Sequence, residues 1–496
     1  MRRLLILLAL LCLTYPTFAQ TPTLLQVKDD LDWAPDFFGG SRGFASGDTV
    51  VDQLPNAVGA NNTLFGFVAV DDTTSPPTIA DSLGLTWTRN EQCKDSTNGE
   101  DVIIYSAPTG TSSGLDTITM TYHATSQFTS TPAYAEFAFV GVIDGAGLCA
   151  HVNSTTVAAG SKTPAQTGDL VVQFSWNDWL STINTGGCIG VHYTHGSQSN
   201  ITWQKFIDGH DWCFGGQWGV YNSTAALNPT FTISTSGFIT AAVFFSPSGS
   251  GTSQPSGVRI VAQKNVPFMG TGSFNVNPVV AYFPCPPSAD TIVANWSGPG
   301  PSTTFDLSSV ADSATNTWVS NHAEFCDASN DTCVHNFHTD GATISDAQNV
   351  TLTLKAMSDD TIHLFCLSGA ASSSLDTTAT GQGNQTVAGN LTLLTVTPNV
   401  ANDVILLTGS QFDNTTRSFT GGLNYIGCFW SNEAISLDGC AANNPWGATY
   451  DSTTGSVTWT AVMQSGSMAV AQWSAEADAY KAPSGAVVRH RAWVIQ

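Results

Sequence analysis

One ten-residue stretch occurs twice in this chain and constrains its fold more than any other feature. The first copy spans residues 79–88 and reads IADSLGLTWT, and the second spans residues 310–319 and reads VADSATNTWV. Asp81, Ser82 and Trp87 of the first copy therefore recur 231 positions later. Because this offset is almost half of the 496 residues, the repeat predicts two tandem copies of one unit.

The repeated stretch has the composition of a turn between two strands. Asp-Ser favours a turn, because short oxygen-bearing side chains hydrogen-bond to nearby backbone. Gly84 is suited to a positive φ, and Asn316 is expected to take this conformation in the second copy. We therefore expect a structural turn that places Trp87 and Trp318 in the core.

Residues 1–19 have the pattern of a secretory signal peptide. Arg2 and Arg3 precede an apolar run. Thr17 and Ala19 are small residues at positions −3 and −1 before the expected cleavage site. The run is too short to span a bilayer, and no later stretch is long and apolar enough to do so. We predict a secreted, extracellular protein that does not span the membrane and begins at Gln20.

The charge balance excludes some partners. The formal net charge is −23, and only 11% of the residues are charged. Nucleic acid requires basic patches, so we expect no nucleic-acid partner. We also expect no cofactor, although the acidic stretches 29–32 and 71–72 could hold Ca²⁺ through their carboxylates.

The cysteines predict disulfide bonds. Ten remain after removal of the signal peptide, which suits an oxidising compartment. Counted from the repeated motif, the cysteines of the first half match cysteines of the second half in position. Cys285 and Cys333 have no counterpart in the first half. The strongest expected bonds, Cys188–Cys213 and Cys428–Cys440, each close a local loop. The remaining candidates are Cys93, Cys149, Cys326 and Cys366.

Short alternating segments separated by turn residues predict an all-β fold. Apolar and polar residues alternate in stretches such as 116–122, and no window shows a sustained helical period. We predict two tandem antiparallel β-sandwich domains of jelly-roll-like type, related by internal duplication. The expected boundaries are residues 20–247 for domain 1, a Ser/Gly/Pro linker at 248–257, and 258–496 for domain 2.

This layout resembles a β-sandwich domain that recurs in tandem in large secreted bacterial proteins. The features that carry the resemblance are an early apolar strand, the turn from Asp81 to Trp87, and a late Gly-Asp-Leu-Val-Val strand at residues 168–172. The resemblance covers most of both halves. It implies a fold and an accessory role, and it assigns no catalytic residues.

The sequence offers little support for catalysis. The chain has six Glu, at positions 91, 100, 136, 324, 433 and 476, without the spacing of a sandwich glycosidase. Two loose histidine groups, one around His192 and His195 and one around His335 and His338, could reach a metal ion. We treat packed or surface histidines as the default, leave the metal open, and expect no catalytic residue.

The candidate ligand site lies in the aromatic-rich region 176–221 and in its counterpart near residues 425–450. Aromatic rings can pack on the apolar faces of sugars while carboxylates bind hydroxyl groups. We expected exposed rings at Trp203, Trp212 and Trp218 in particular. The full set of predicted ligand-binding residues is Trp203, Trp212, Trp218, Asp208, Asp211, Trp430 and Trp446.

Three functions remain open on the sequence. The first is a non-catalytic protein that binds a glycan or another surface polymer. The second is a structural extracellular component without a small ligand, and the third is a carbohydrate-active enzyme with a site near residues 176–221. Burial of all three chosen tryptophans would favour the structural role over glycan binding.

Overall fold

The computed structural model contains β-strands and no α-helix among the residues that it describes. The prediction of an all-β chain is therefore confirmed. None of the described residues belongs to a helix long and apolar enough to cross a membrane. The described ranges are 20–29, 46–70, 75–95, 100–123, 130, 132–177, 193–208, 214–234, 237–253, 257–268, 278–299, 307–327, 332–345, 349–355, 360–385, 389–412, 417–420, 425–428, 445–451, 454–463 and 471–483.

The strands divide between the two halves of the chain. Those of the first half are β1 (Thr23–Asp29), β2 (Thr49–Gln53), β3 (Thr63–Val70), β4 (Thr78–Asp81), β5 (Thr88–Asp95), β6 (Glu100–Pro108), β7 (Thr117–Thr121), β8 (Ala133–Ala138), β9 (Val140–Ile143), β10 (Leu148–Val152), β11 (Thr156–Ala158), β12 (Asp169–Asn177), β13 (Ile201–Asp208), β14 (Gly215–Tyr221), β15 (Thr230–Thr232) and β16 (Phe238–Pro247). Those of the second half are β17 (Arg259–Phe268), β18 (Val279–Tyr282), β19 (Thr291–Pro299), β20 (Leu307–Asp312), β21 (Trp318–Ser320), β22 (Phe325–Cys326), β23 (Thr332–Thr339), β24 (Asn349–Leu354), β25 (Asp360–Ser368), β26 (Leu375–Gln385), β27 (Gly389–Val396), β28 (Asp403–Phe412), β29 (Arg417–Thr420), β30 (Tyr425–Cys428), β31 (Pro445–Asp451), β32 (Val457–Met463) and β33 (Ala471–Tyr480).

One sheet of 11 strands, called here the central sheet, runs through both halves. Its middle is a parallel pair, β1 with β17, in which Val27 lies opposite Ala262. Outwards from that pair the order is β8, β3, β6, β5 in the first half and β25, β19, β23, β21 in the second, with β22 also paired to β23. The strand order is therefore the same in the two halves when counted from the middle.

Each half adds further antiparallel sheets to the central sheet. The first half has the β2 sheet (β2-β7-β4), a six-stranded sheet (β10-β16-β12-β14-β13 with β9) and the pair β11-β15. The second half has the β18 sheet (β18-β24-β20), a five-stranded sheet (β26-β33-β28-β31-β30) and the three strands β27-β32-β29. Side-chain clusters show that the central sheet contacts a small sheet on one face and a large sheet on the other in each half.

The large sheets of the two halves lie on opposite faces of the central sheet. One continuous apolar cluster contains Phe67 and Phe174, which join the central and six-stranded sheets, together with Trp296 and Leu352, which join the central and β18 sheets. A separate cluster on the other face joins the central and five-stranded sheets through Val293, Phe365, Val404 and Leu406. The two halves thus present opposite faces of one sheet to their larger partner sheets.

Buried ion pairs connect the two halves at the central pair of strands. Lys264 of β17 donates from Nζ to Oδ2 of Asp29 on β1 at 2.8 Å, and both side chains are 3% exposed. The same Nζ donates to the carbonyl oxygen of Asp208 at 2.9 Å. Nearby, Lys205 pairs with Asp208 over 3.0 Å. Because a buried charge is costly without a partner, these contacts fix how the halves meet.

The two copies of the repeated motif form the same hydrogen bonds. Trp87 donates from Nε1 to Oδ2 of Asp81 at 2.6 Å, and Trp318 donates to Oδ2 of Asp312 at 2.9 Å. The other carboxylate oxygen accepts a backbone N–H four residues on in each copy, at 3.0 and 3.1 Å. The aspartate therefore closes the turn and also holds the tryptophan that follows it.

Two details of the turn differ from expectation. Gly84 has the predicted positive φ, 69°, but its counterpart is Thr315 with φ 57°, rather than Asn316. The Asn316 side chain instead donates to Asp312 at 3.0 Å. Trp87 and Trp318 are half-buried, so the prediction of full burial was wrong. Each indole N–H must reach a turn carboxylate near the surface, which keeps part of the ring exposed.

Three disulfide bonds join described residues. They are Cys93–Cys149, Cys285–Cys366 and Cys326–Cys333. The two extra cysteines of the second half bond to different partners, Cys285 to Cys366 and Cys333 to Cys326, which lies opposite it in the β22–β23 register. The predicted bonds Cys188–Cys213 and Cys428–Cys440 lie outside the side chains that the structure describes.

The predicted domain boundaries remain a prediction. Signal residues 1–19 and linker residues 254–256 lie outside the described part. Linker residue Thr252 accompanies the first half, since its N–H donates to Oδ1 of Asn62 at 2.8 Å. Its hydroxyl donates to the carbonyl of Ala60 at 2.6 Å.

We predict that the disulfide bonds stabilise the fold according to the length of chain that they close. Cys93–Cys149 spans 56 residues and should contribute about 4 kcal/mol by restricting the unfolded chain, against about 2.5 kcal/mol for Cys326–Cys333, which spans 7. Denaturant unfolding of the two double Cys→Ala variants measures the difference. Equal losses of stability in the two variants would contradict the entropic account.

Candidate functional site

The structure buries two of the three tryptophans that were expected to form a ligand platform. Trp203 on β13 is 2% exposed and donates from Nε1 to Oε1 of Gln198 at 2.5 Å. Trp218 on β14 is 8% exposed and packs edge-on against Phe137 of the central sheet. The expectation of exposure was wrong for both residues, because Trp203 packs in a cluster with Val171, Leu227 and Phe244 and Trp218 faces the central sheet.

The other predicted ligand residues divide into two groups. Asp208 is described, is 2% exposed and pairs with Lys205, so its carboxylate is engaged in the core. Trp212, Asp211 and Trp430 lie outside the described residues, and Trp446 lies on β31 without a described side chain. The large apolar side chains that are exposed in the described part are aliphatic: Val51, Leu115, Val142, Ile143 and Val319.

The metal alternatives suggested by the sequence gain no support. His335 and His338 lie three residues apart on β23, so their side chains point to opposite faces of the strand. Asp29 is paired with Lys264, whereas residues 30–32, 71–72 and 192 lie outside the described part. One described cluster, Glu324 with Cys326 and Cys333, has metal-like spacing, but its two sulfur atoms are bonded to each other.

In the first half, apolar side chains fill the space between the central and six-stranded sheets. Phe67 on β3 has Ile104 of β6 and Ala133 of β8 as its lateral neighbours. On the facing sheet, Phe174 of β12 lies beside Ala241 of β16. All five belong to one apolar cluster and are 0% exposed. This is the usual filling for two packed sheets.

In the second half, the corresponding positions are polar. Asn295 is the fifth residue of β19, as Phe67 is of β3, and its lateral neighbours are Asn336 and His363. On the facing five-stranded sheet, Thr408 of β28 lies beside Glu476 of β33. These five side chains are 0% exposed. A polar group has therefore replaced an apolar one at each of these positions.

The same contrast continues along the facing strands. Trp176 and Ile239 pair in the first half, and Ser410 and Ser474 pair in the second. Asp478 of β33 lies beside Leu406, where β16 of the first half places Val243 beside Val172. We call the second-half set the polar layer. Its members are Asn295, Ser297, Asn336, His338, His363, Thr408, Ser410, Ser474, Glu476 and Asp478.

Asp478 is held by amide donors. Its Oδ2 accepts hydrogen bonds from Nδ2 of Asn321 at 2.8 Å and from Nδ2 of Asn336 at 2.7 Å. Asn321 also contacts the Tyr480 hydroxyl at 2.8 Å and Nδ1 of His338 at 2.5 Å. The central sheet thus positions one oxygen of Asp478 through neutral donors, while Oδ1 has no hydrogen-bond partner in the described structure.

Glu476 lacks such support. Neither carboxylate oxygen forms a hydrogen bond of normal geometry with a described residue, although the Thr378 side chain interacts with the carboxyl group and lowers its pKa. Both amide atoms of Asn295, Oδ1 of Asn336 and the hydroxyl of Thr408 also have no hydrogen-bond partner among the described residues. Buried polar atoms are nearly always hydrogen-bonded in folded proteins, because an unmet buried group costs about 1–3 kcal/mol. The polar layer therefore lowers the free energy of unfolding.

Burial and mutual repulsion dominate the electrostatics of the two carboxyl groups. Loss of solvation raises the pKa of Glu476 well above its ordinary value, and the neighbouring Asp478 raises it further. Burial also raises the pKa of Asp478, although the Asn321 and Asn336 donors oppose this effect. Burial thus makes ionisation of both groups less favourable than it is in water, and a nearby positive charge would oppose this effect.

The polar layer was not found from the sequence. Ser474, Glu476, Asp478 and Tyr480 alternate with small apolar residues, which is the pattern of a strand with one face in water. Two carboxylates two residues apart do point to the same side, but both are 0% exposed. A glycosidase needs its carboxyl pair open to a sugar chain, so this arrangement suits a bound small species better than catalysis.

We predict that Glu476 reduces the intrinsic stability of the fold. In buffer containing EDTA, Glu476→Met should raise the free energy of unfolding by about 1–4 kcal/mol, because an apolar side chain of similar size needs no partner. The gain should grow as the pH rises above the ordinary glutamate pKa of 4.5. A buried acid with a raised pKa opposes folding increasingly as the pH rises from its unfolded toward its folded pKa.

Glu136 provides a matched control for this substitution. It is a buried glutamate in the first half, but its carboxylate accepts hydrogen bonds from Asn62, Gln26 and the Gly59 N–H at 2.6, 2.6 and 2.8 Å. Glu136→Met should therefore lower the free energy of unfolding by about 1–3 kcal/mol. Urea unfolding compares the two variants, and a loss of stability in both would show that Glu476 is satisfied after all.

The comparisons with known proteins leave the polar layer as the main guide to function. No protein-family model, no curated protein and no solved structure matches the chain.

Proposed function

We propose that this chain is a secreted, non-catalytic structural component of an extracellular surface or matrix. The observation that carries the proposal is the burial of Trp203 and Trp218, two of the three rings chosen for a glycan platform, while Trp212 lies outside the described residues. Three disulfide bonds suit an oxidising compartment and a persistent, rigid role.

The central sheet supports a structural role, because it joins the two halves rigidly. It makes the two halves one continuous hydrogen-bonded body at β1 and β17, and the Lys264–Asp29 ion pair adds a buried contact across the same junction. A binding module on a loose tether would not need such a junction. A structural component gains from it, because the halves cannot move independently without breaking buried polar contacts.

We further infer that the halves arose by duplication of one β-sandwich unit. The support is the identical strand order from the centre outwards and the repeated Asp–Trp turn. The serine that follows each aspartate also makes the same backbone contact. The N–H of Ser82 donates to the carbonyl oxygen of Thr117 at 2.9 Å, and the N–H of Ser313 donates to that of Asn349 at 3.1 Å. The unit is then a reusable building block, as a structural role favours.

Retention on insoluble polysaccharides tests the proposal against the glycan-binding alternative. The mature protein should pass through columns of cellulose, chitin and peptidoglycan without retention at physiological salt. Retention that is lost in Trp212→Ala or Trp430→Ala would overturn the structural role in favour of glycan binding. Trp203→Ala is the control for unfolding, because removing that buried ring should cost about 3–5 kcal/mol whatever the function.

A second measurement tests the structural role directly. In cultures of the producing cell, the protein should remain with the surface or matrix fraction until a denaturant is added. Quantitative immunoblotting of medium, salt wash and denaturant extract gives the distribution. Recovery of nearly all the protein in the medium would contradict the proposal.

A further inference from the structure

The polar layer contains two neighbouring carboxyl groups that form no ion pair with a described Lys or Arg. These groups, Glu476 and Asp478, both face the central sheet. The titratable groups that face them from the central sheet are His338 and His363, and Asp340 lies 3.7 Å from Nε2 of His338. Within the described residues, the two carboxyl groups therefore have no Lys or Arg as a charge partner.

The atoms left without a hydrogen bond in this layer include six oxygens. Two are on Glu476, and Asp478 contributes Oδ1. The others are Oδ1 of Asn295, Oδ1 of Asn336 and Oγ1 of Thr408. Every one of these residues is 0% exposed, so bulk water does not solvate them. An unpaired buried amide beside two unpaired carboxylates is an arrangement that a fold does not keep for stability.

The register brings these oxygens to one place. Asn295 and Asn336 are lateral neighbours on the central sheet, and Asn336 donates its amide hydrogen to Asp478 on the facing sheet. Thr408 and Glu476 are lateral neighbours on that facing sheet. Glu476 and Asp478 lie two residues apart on one face of β33, so the residues with unpartnered oxygens occupy neighbouring positions on two facing sheets.

We propose that the polar layer is a binding site for one buried Ca²⁺ ion. Ca²⁺ takes six to eight oxygen ligands from carboxylates, amide carbonyls and hydroxyls, which is the donor set found here. Two carboxylates balance its charge. Zinc would prefer sulfur and imidazole nitrogen, and Mg²⁺ keeps several waters that a fully buried site excludes.

The bound ion accounts for the contrast between the two halves. The first half fills the same position with Phe67, Phe174 and Ala241 and needs no ligand. In the second half the ion would supply the attraction between the sheets that apolar side chains supply in the first. Because the site is sealed, the ion enters as the half folds, and it leaves only when the sheets separate.

Elemental analysis and thermal unfolding of the mature, disulfide-intact protein test the site. The protein purified without chelator should contain about one Ca²⁺ per chain. After unfolding in guanidinium with EGTA and refolding without metal, Ca²⁺ should raise Tm by about 5 °C when its free concentration is about 100 times Kd. Mg²⁺ and Na⁺ at the same concentration should have a much smaller effect.

Two site variants and one control separate this proposal from general destabilisation. Glu476→Gln removes a charge and should abolish the Ca²⁺-dependent rise in Tm. Thr408→Val removes one hydroxyl ligand at nearly constant shape, and it should reduce the rise even if Glu476→Gln fails to fold. Glu136→Gln alters a buried glutamate outside the layer and should keep the full rise.

The outcomes are decisive in either direction. A rise in Tm that depends on Glu476 and Thr408 but not on Glu136 supports the site. No bound metal together with the same Tm in Ca²⁺ and EGTA overturns it, and so does another metal found in place of calcium. These results do not depend on the structural role proposed above, which the polysaccharide and fractionation experiments test separately.

Discussion

The parallel pairing of β1 with β17 is the contact on which the rest of the structure depends. All other strand pairs within the central sheet are antiparallel and stay inside one half, so this pair alone makes a single sheet of the two halves. Lys264 and Asp29 reinforce it from within the core. With the pair in place, the remaining strands of each half add outwards in the same order. The flanking sheets then pack on the two faces of the central sheet.

Local chemistry was predictable from the sequence, and long-range packing was not. The Asp81–Trp87 turn and the positive φ of Gly84 depend on a few neighbouring residues, so their sequence signals were sufficient. The burial of Trp203 and Trp218 depends instead on packing, since Trp203 lies in a cluster with Val171 and Phe244 and Trp218 lies against Phe137 of the central sheet. A tryptophan among glycines and polar residues has the same local sequence whether a sheet covers it or not.

The polar layer illustrates a second limit. Alternating polar residues on β33 indicate a strand with one wet face, and they do so correctly for most proteins. Here the central sheet covers that face, and the hydrogen-bonding capacity of Glu476 is left unmet by the described residues. Only the pairing of β19 with β23 and the packing of β33 on them show that Asn295, Asn336 and Glu476 lie between the same two sheets. The candidate site is therefore a property of the tertiary structure.

The large sheets of the two halves lie on opposite faces of the central sheet, and this arrangement limits how the molecule can contact a polymer. The large sheets of the two halves point in opposite directions, as a rotation by half a turn about the strand direction requires. A chemical feature carried by the outermost layer beyond each large sheet cannot touch one flat polymer twice. It would touch two polymers, one on each side, so the geometry favours cross-linking over avidity.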